Sequence, residues 1–91
     1  VEFEGSLVIL GDVNDGAEVI AGENIIVLGD LRGLAHAGAK GNKEAIIAAS
    51  SIEAPQLRIS NIIKEREREE ILESTQKTYA YVDADGKMEL E

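Results

Sequence analysis

The amino-acid sequence predicts an all-β fold, a short three-sided β-helix or β-solenoid of about five coils, in one domain over residues 1–91. Eight of the nine glycines lie within the first 41 residues, where they separate short aliphatic runs. A helix does not tolerate glycine at that density, whereas short strands joined by tight turns do. The second observation is an internal repeat, because the seven residues from Leu7 match the seven from Ile25 position by position.

A finer period of six residues runs inside this repeat and predicts three short strands per coil. The positions that it assigns to the interior are Leu7, Val13, Val19, Ile25, Leu31 and Ala37. Small or turn-forming residues mostly stand two positions before each of them, as expected at the corners of a prism.

The later segments follow the coil spacing more loosely. Residues 45–49 and 57–63 are typical of strands, and Pro55 predicts a corner because proline donates no hydrogen bond to a sheet. The charged run over residues 64–70 predicts a solvated surface segment, formed as a helical turn, a loop or a cap. Near the end, residues 83–86 predict a turn between two short strands.

Composition excludes several classes of function. Nine basic against eighteen acidic side chains give a net charge of −9, which argues against a nucleic-acid partner. There is no cysteine, and no apolar run approaches the ~20 residues that span a bilayer. The sequence opens with acids in a strand pattern rather than with Met or a signal peptide, so we expect a fragment of a longer protein.

The aliphatic pattern predicts a homodimer. A chain of this size with three aromatic residues has a marginal core, which oligomerisation commonly supplements. Adjacent strand residues point to opposite faces, so the pairs Ile46-Ile47 and Ile62-Ile63 predict an outward apolar patch that forms the dimer face.

The residues offer little catalytic chemistry. His36 is the only histidine, and it stands between two alanines without an acid to orient it as a general base. The sequences Asp12–Gly16 and Asp83–Gly86 begin like calcium loops, which also need several oxygen ligands and a glutamate at a fixed later position. Turn residues with hydrogen-bonding side chains explain both sequences better. We therefore predict a non-enzymatic binding surface with no catalytic residue, no metal and no cofactor.

A resemblance to a known family rests on short motifs of consecutive residues. The stretch from Gly5 to Gly22, with its Gly-Ala-Glu-Val-Ile-Ala-Gly word, and the Arg-Gly-x-Ala-His-Ala-Gly word from Arg32 are the most specific parts. They closely resemble the C-terminal domain of the septum site-determining MinC family. The likeness is dense over residues 5–63 and loose over residues 64–82.

The resemblance implies a right-handed β-helix that dimerises through one apolar face. It also implies binding to the ATPase MinD in its ATP-bound form, and hence a cytoplasmic protein recruited to the inner face of the cell membrane. The family prevents FtsZ ring assembly away from midcell, mainly through a separate N-terminal domain absent from this chain. Contact with FtsZ is indirect or through the C-terminal tail of FtsZ.

The family pattern carries over to four positions as a candidate MinD face, namely Gly16, Arg32, Gly33 and Leu34. Leu34 stands where the family often has a second arginine, which puts one polar contact in doubt. The family's Arg-Ser-Gly-Gln motif, central to MinD binding, would precede Val1. At the residue level, Gly16 is also explained as a corner glycine, and Arg32 as a local ion-pair partner of Asp30.

Two other classes remain open from the sequence. One is a bactofilin-like structural solenoid that polymerises end to end. The other is a hexapeptide-repeat acyltransferase with His36 as its base. The second class is disfavoured because it has a small residue directly after each inward aliphatic position. This sequence has Val8, Ile20, Ile26 and Arg32 at such positions.

Overall fold

The computed structural model describes residues 1–73 and 76–91. The elements in chain order are β1 (Glu2–Phe3), β2 (Leu7–Leu10), β3 (Glu18–Ala21), β4 (Ile25–Leu31), β5 (Leu34–Ala37), β6 (Ile47–Ile52), β7 (Gln56–Ile59), β8 (Ile62–Glu65), α1 (Arg68–Glu73), β9 (Tyr79–Val82) and β10 (Met88–Leu90). The predicted all-β class is confirmed, since α1 is the one helix in the described part of the chain.

The strands wind into a solenoid with three sides. A first sheet has the strand order β1-β3-β5-β7-β8, and a second has the order β10-β9-β6-β4-β2. The third side is narrow: Val13 pairs with Leu31, and Leu31 pairs with Ile52 beyond a register shift in the β4–β6 pair. Three coils result, over residues 7–21, 25–37 and 47–59. The predicted β-solenoid is confirmed, but the predicted number of about five coils is wrong because parallel coiling ends at Ile59.

The sequence repeat sets the register between the first two coils. Leu7 pairs in parallel with Ile25, and Asp12 Oδ1 accepts a 2.7 Å hydrogen bond from the amide of Asp30, 18 positions later. The step to the third coil is longer, at 22 residues, because a turn before β6 carries extra residues. The repeat therefore predicts the first coil step and not the second.

The core is an aliphatic stack along the solenoid axis. Five of the six positions predicted to point inward are buried, and Leu7 is half-buried against them. The largest fully buried side chains come from all three sides, namely Ile25, Val27, Leu31, Ile47, Ile52, Leu57 and Ile59.

The third coil is closed by antiparallel strands. After Ile59 the chain reverses, so that β8 pairs antiparallel with β7 and β9 pairs antiparallel with β6. Within the solenoid, the carbonyl of Leu31 accepts a 2.8 Å bond from the amide of Glu53 in the next coil. The corresponding carbonyl of Ile52 instead accepts a 2.8 Å bond from Nη1 of Arg66. The Arg66 side chain thus takes the place of the backbone donor that a fourth coil would have supplied.

Most of the turns and segment boundaries predicted for the later part of the chain are present in the structure. Pro55 lies exposed between β6 and β7, and the amide of Gly86 donates to the carbonyl of Asp83 in the turn between β9 and β10. The charged run over residues 64–70 ends β8 and begins α1, and its side chains are exposed or half-buried apart from Arg66. The burial of Arg66 is a feature that the prediction of a solvated segment missed.

Candidate partner-binding surfaces

Gly16 lies in an exposed turn on the way from the third side to β3. Its φ is +86°, a conformation that glycine adopts without strain, and nothing lies within reach of a Cβ there. The turn is closed by a 3.0 Å bond from the amide of Ala17 to the carbonyl of Asn14. Gly16 therefore leaves an open, low patch of backbone at this corner.

Arg32 is held between two coils on the third side. Its Nη2 lies 2.8 Å from Asp30 Oδ2, and its Nε lies 3.5 Å from Glu53 Oε1. The predicted pairing with Asp30 is confirmed, whereas Glu53 comes from the third coil and could be found only from the register. These contacts leave the side chain 38% exposed, so the guanidinium is oriented yet remains accessible.

Gly33 and Leu34 differ in what they offer to a partner. A Cβ on Gly33 would clash with the carbonyl oxygen of Ala17 and would lie 2.6 Å from that of Asn14. Gly33 is buried, so it allows the coils to approach rather than touching a partner itself. Leu34 begins β5, is 38% exposed and pairs with Glu18 on the outer side of the first sheet.

A groove connects this corner to helix α1. It has a volume of about 320 Å³, and its lining includes Asp15, Arg32, Glu53, Arg68 and Leu72. The groove joins Arg32 to the neighbour of Gly16, which supports treating the corner as one surface.

His36 lies on β5 in a setting that does not suit general base catalysis. Its Nε2 lies 2.9 Å from the carbonyl oxygen of Ser60, which also accepts a 3.2 Å bond from Arg58 Nε. Among the hydrogen bonds and ion pairs of the described residues, no carboxylate contacts this ring. The ring is thus fixed by a backbone carbonyl, without the acid that would orient a base.

The outer side of the second sheet carries a continuous apolar surface, which we call the outer apolar face. It comprises Val8, Leu10, Ile26, Leu28, Ala48 and Tyr79. One row crosses four strands by direct pairing, from Val8 to Ile26 to Ala48 to Tyr79. The side chains of Val8 and Leu28 are each 56% exposed, and Leu10 is 82% exposed. An apolar surface of this continuity marks an interaction site.

The four residues predicted for the dimer face are divided by the structure. Ile47 is fully buried, so its assignment to an outward patch is wrong; it alternates with Ile46, which is half-buried just before β6. Ile62 packs against the core, and Ile63 is 50% exposed. Ile62 and Ile63 belong to the first sheet and Ile47 to the second, so the four residues do not form one face.

The internal repeat contains the residue pattern that indicates the outer apolar face. The residues of β2 are Leu-Val-Ile-Leu, and β4 begins Ile-Ile-Val-Leu, so inward and outward positions are both apolar. A strand with one wet side alternates apolar and polar residues, whereas a strand covered on both sides is apolar throughout. The apolar runs of β2 and β4 therefore predict a second covered side.

Tyr81 lies near this face in β9 and binds a carboxylate. Its hydroxyl donates a 2.9 Å hydrogen bond to Glu91 Oε2. This hydrogen bond, and then the negative charge of Glu91, raise the pKa of Tyr81 above its ordinary value of 10.0. The phenol therefore remains neutral and caps one margin of the face with a polar contact.

The two acidic sequences that resemble calcium loops form turns. Asp83 Oδ1 accepts bonds from the amides of Asp85 and Lys87, each at 2.9 Å. Within residues 1–73 and 76–91, no group of three or more acidic or histidine side chains could hold a metal ion. The same part of the chain contains no helix that is long and apolar enough to cross a membrane.

Comparison with known proteins gives matches that cover the whole chain. The family model described as septum formation inhibitor MinC, C-terminal domain, matches residues 1–91. The septum site-determining protein MinC of Bacillus subtilis (strain 168) is 45% identical over 91 residues, which is all of this chain and 40% of that protein. The chain therefore spans less than half the length of this curated relative.

A solved structure has the same fold. The chain is similar to one in the MinC:MinD cell division protein complex of Aquifex aeolicus, with a TM-score of 0.88 and 38% sequence identity. The match covers 99% of this chain and 72% of that one. At this identity and coverage the likeness extends to the course of the whole chain.

Proposed function

Because this chain belongs to the septum formation inhibitor MinC C-terminal domain family, we propose that it is the dimerisation and MinD-binding domain of a cell-division inhibitor. In this role it places an inhibitor of FtsZ ring assembly away from midcell. The observation that carries the proposal is the likeness of nearly the whole chain to one in a MinC:MinD cell division protein complex. The main activity toward FtsZ belongs to a separate N-terminal domain of the whole protein.

The domain acts as an adaptor without an enzymatic activity of its own. It works in the cytoplasm and reaches the inner face of the membrane only when bound to ATP-loaded MinD. The contact of His36 with a carbonyl, rather than an acid, supports a binding role over acyl transfer. FtsZ is reached indirectly or through its C-terminal tail.

MinD binds the corner formed by Gly16 and Arg32, with Gly33 as the packing residue that brings two coils together. The support is that Gly16 leaves accessible backbone while Arg32 presents an oriented guanidinium on the groove beside it. Leu34 lies around the edge on the first sheet, so it contributes an apolar contact at the margin.

The homodimer forms through the outer apolar face of the second sheet. Its support is the row of paired apolar side chains across β2, β4, β6 and β9. The side of the third coil that would receive another molecule is closed by antiparallel strands and by Arg66. That closure favours a finite dimer over a filament that grows end to end.

The proposal is tested by co-sedimentation with MinD on lipid vesicles, in ATP and in ADP. We expect the full-length protein to pellet with MinD in ATP only, and the Arg32→Ala variant to bind at least about fivefold more weakly, the loss of one charge-assisted contact. Arg58→Ala is the matched control, since Arg58 is an exposed arginine on the first sheet. The 91-residue chain, run alongside, separates this corner from the upstream motif.

Two outcomes contradict the proposal. Equal binding in ATP and ADP, with an active MinD, removes the adaptor role. Equal loss of binding in the Arg32 and Arg58 variants removes the corner as the contact while leaving the partner in place.

A further inference from the structure

A small pocket lies at the closed end of the solenoid, and none of its lining residues belongs to the outer apolar face. Its volume is about 150 Å³, and it is lined by Lys64, Arg66, Glu70, Lys77, Glu89 and Leu90. Its lining comes from β8, α1, β10 and the segments on either side of α1, and it shares no residue with the groove at Arg32. The proposed function makes no use of this pocket.

Arg66 is the unusual member of the lining. The residue is 7% exposed, and its Nη1 donates to the carbonyl of Ile52. Among the described residues no carboxylate forms an ion pair with it. Burial of a guanidinium without a negative partner is unfavourable, because the charge loses water and gains no counter-charge.

Within the described part of the chain, the Arg66 guanidinium makes no hydrogen bond other than the one to Ile52. Across the described chain, no buried side-chain nitrogen or oxygen lacks a partner. The guanidinium nitrogens that do not bind Ile52 must therefore retain access, and the cavity that Arg66 lines provides it. A guanidinium in this state presents a donor array that matches the paired oxygens of an oxyanion.

Two lysines add positive charge to the same cavity. Neither Lys64 nor Lys77 takes part in an ion pair with a described carboxylate. Glu70 and Glu89 also line the cavity, so the lining has three positive and two negative groups, a local excess of one positive charge. This excess stands out in a chain whose net charge is −9.

We propose that this pocket binds a small free oxyanion of the size of phosphate. Arg66 donates through its guanidinium edge, and Lys64 and Lys77 supply point charges on either side. The volume is large enough for one such group. A free ion is favoured over a lipid headgroup because a chain of net charge −9 is repelled by an anionic bilayer.

The test is a titration of the full-length protein with inorganic phosphate at constant ionic strength, with chloride as the balancing anion. Amide chemical shifts of residues around the pocket report binding, and the melting temperature reports its effect on stability. We expect saturation in the millimolar range. Lys77→Met and Lys64→Met should each weaken binding roughly threefold, and Glu89→Gln should tighten it by a similar factor.

Lys43→Met is the matched control, because Lys43 is exposed and outside the lining. These variants leave the bond from Arg66 to Ile52 intact, so a loss of binding does not report a loss of folding. Shifts that do not saturate, or that change equally in the Lys43 variant, overturn the site and show an adventitious ion only. Phosphatidylglycerol vesicles that retain the protein, and release it when Lys77 is replaced, overturn the free ion in favour of a lipid.

Discussion

At the scale of the residue, Gly33 is required for packing between coils rather than for contact with a partner. The family motif around Arg32 identifies Gly33 as a position of interest, and the structure gives the reason. A Cβ there meets the backbone oxygens of Ala17 and Asn14, which cannot move away as a side chain can. The requirement for glycine comes from the close approach of two coils.

Gly33→Ala should therefore destabilise the domain by about 2–3 kcal/mol, the cost of overpacking a close contact. The matched control is Gly5→Ala, whose added Cβ would lie 3.5 Å from the Phe3 ring, at ordinary contact distance. Urea denaturation at one protein concentration compares the two variants, since dimerisation makes stability depend on concentration. A Gly33 variant as stable as the Gly5 variant would mean that the coils separate easily at this corner.

At the scale of the element, the repeat explains how far sequence could go. The match between the residues from Leu7 and those from Ile25 predicts the first coil step, since identical residues in register stack on themselves. It could not predict the longer step to Ile47, because the extra turn before β6 has no counterpart in the first repeat. Counting five coils assumed that all later strands continue the spiral.

Little in the sequence indicates that the chain reverses its direction after Ile59. Ser60 and Asn61 join β7 to β8, and Ser60 has a φ of 58°, which non-glycine residues seldom adopt. A glycine there would have indicated a hairpin, as the turn over residues 83–86 does with Gly86. The two candidate surfaces could be predicted from the sequence to different extents. Arg32 lies in a motif that is specific to the family, whereas the outer apolar face depends on which strands become neighbours.

The same turn yields a prediction. A positive φ at the first of two loop residues is the geometry of a type II′ hairpin turn, where glycine is preferred. Ser60→Gly keeps the carbonyl that His36 and Arg58 contact, and it should stabilise the domain by about 1 kcal/mol through relief of backbone strain.

Ser50→Gly is the control, because Ser50 is exposed within β6, where added backbone freedom destabilises a strand by roughly 0.5–1 kcal/mol. Thermal unfolding of the two variants should move in opposite directions. A fall in melting temperature for both would show that the Ser60 turn is not under strain.

At the scale of the whole molecule, three regions of the solenoid differ in the chemistry of the surface that they present. The second sheet presents the outer apolar face, the corner at Arg32 presents charge, and the closed end is formed by antiparallel strands. A solenoid ordinarily exposes unpaired strands at its ends, which invites further pairing. Here β8 and β10 bring Lys64, Glu65 and Glu89 to the closed end, so a neighbour would meet charge.

This division gives a prediction that distinguishes two possible dimer surfaces. Leu28→Glu places a charge within the outer apolar face, where Leu28 is 56% exposed, and Ile63→Glu makes the same change on the first sheet, where Ile63 is 50% exposed. Both substitutions replace an exposed side chain, so neither should unfold the monomer. Burying an unpaired carboxylate in an interface costs several kcal/mol, which is enough to dissociate a dimer of micromolar affinity.

Sedimentation equilibrium measures the outcome directly. The unaltered chain and the Ile63 variant should have twice the 9.8 kDa mass of the chain, and the Leu28 variant should have the mass of one chain. Dissociation by Ile63→Glu alone would move the interface to the first sheet and restore part of the assignment based on isoleucine pairs. Dissociation by neither would leave the outer apolar face for a different partner, because an exposed apolar surface of this continuity marks an interaction site.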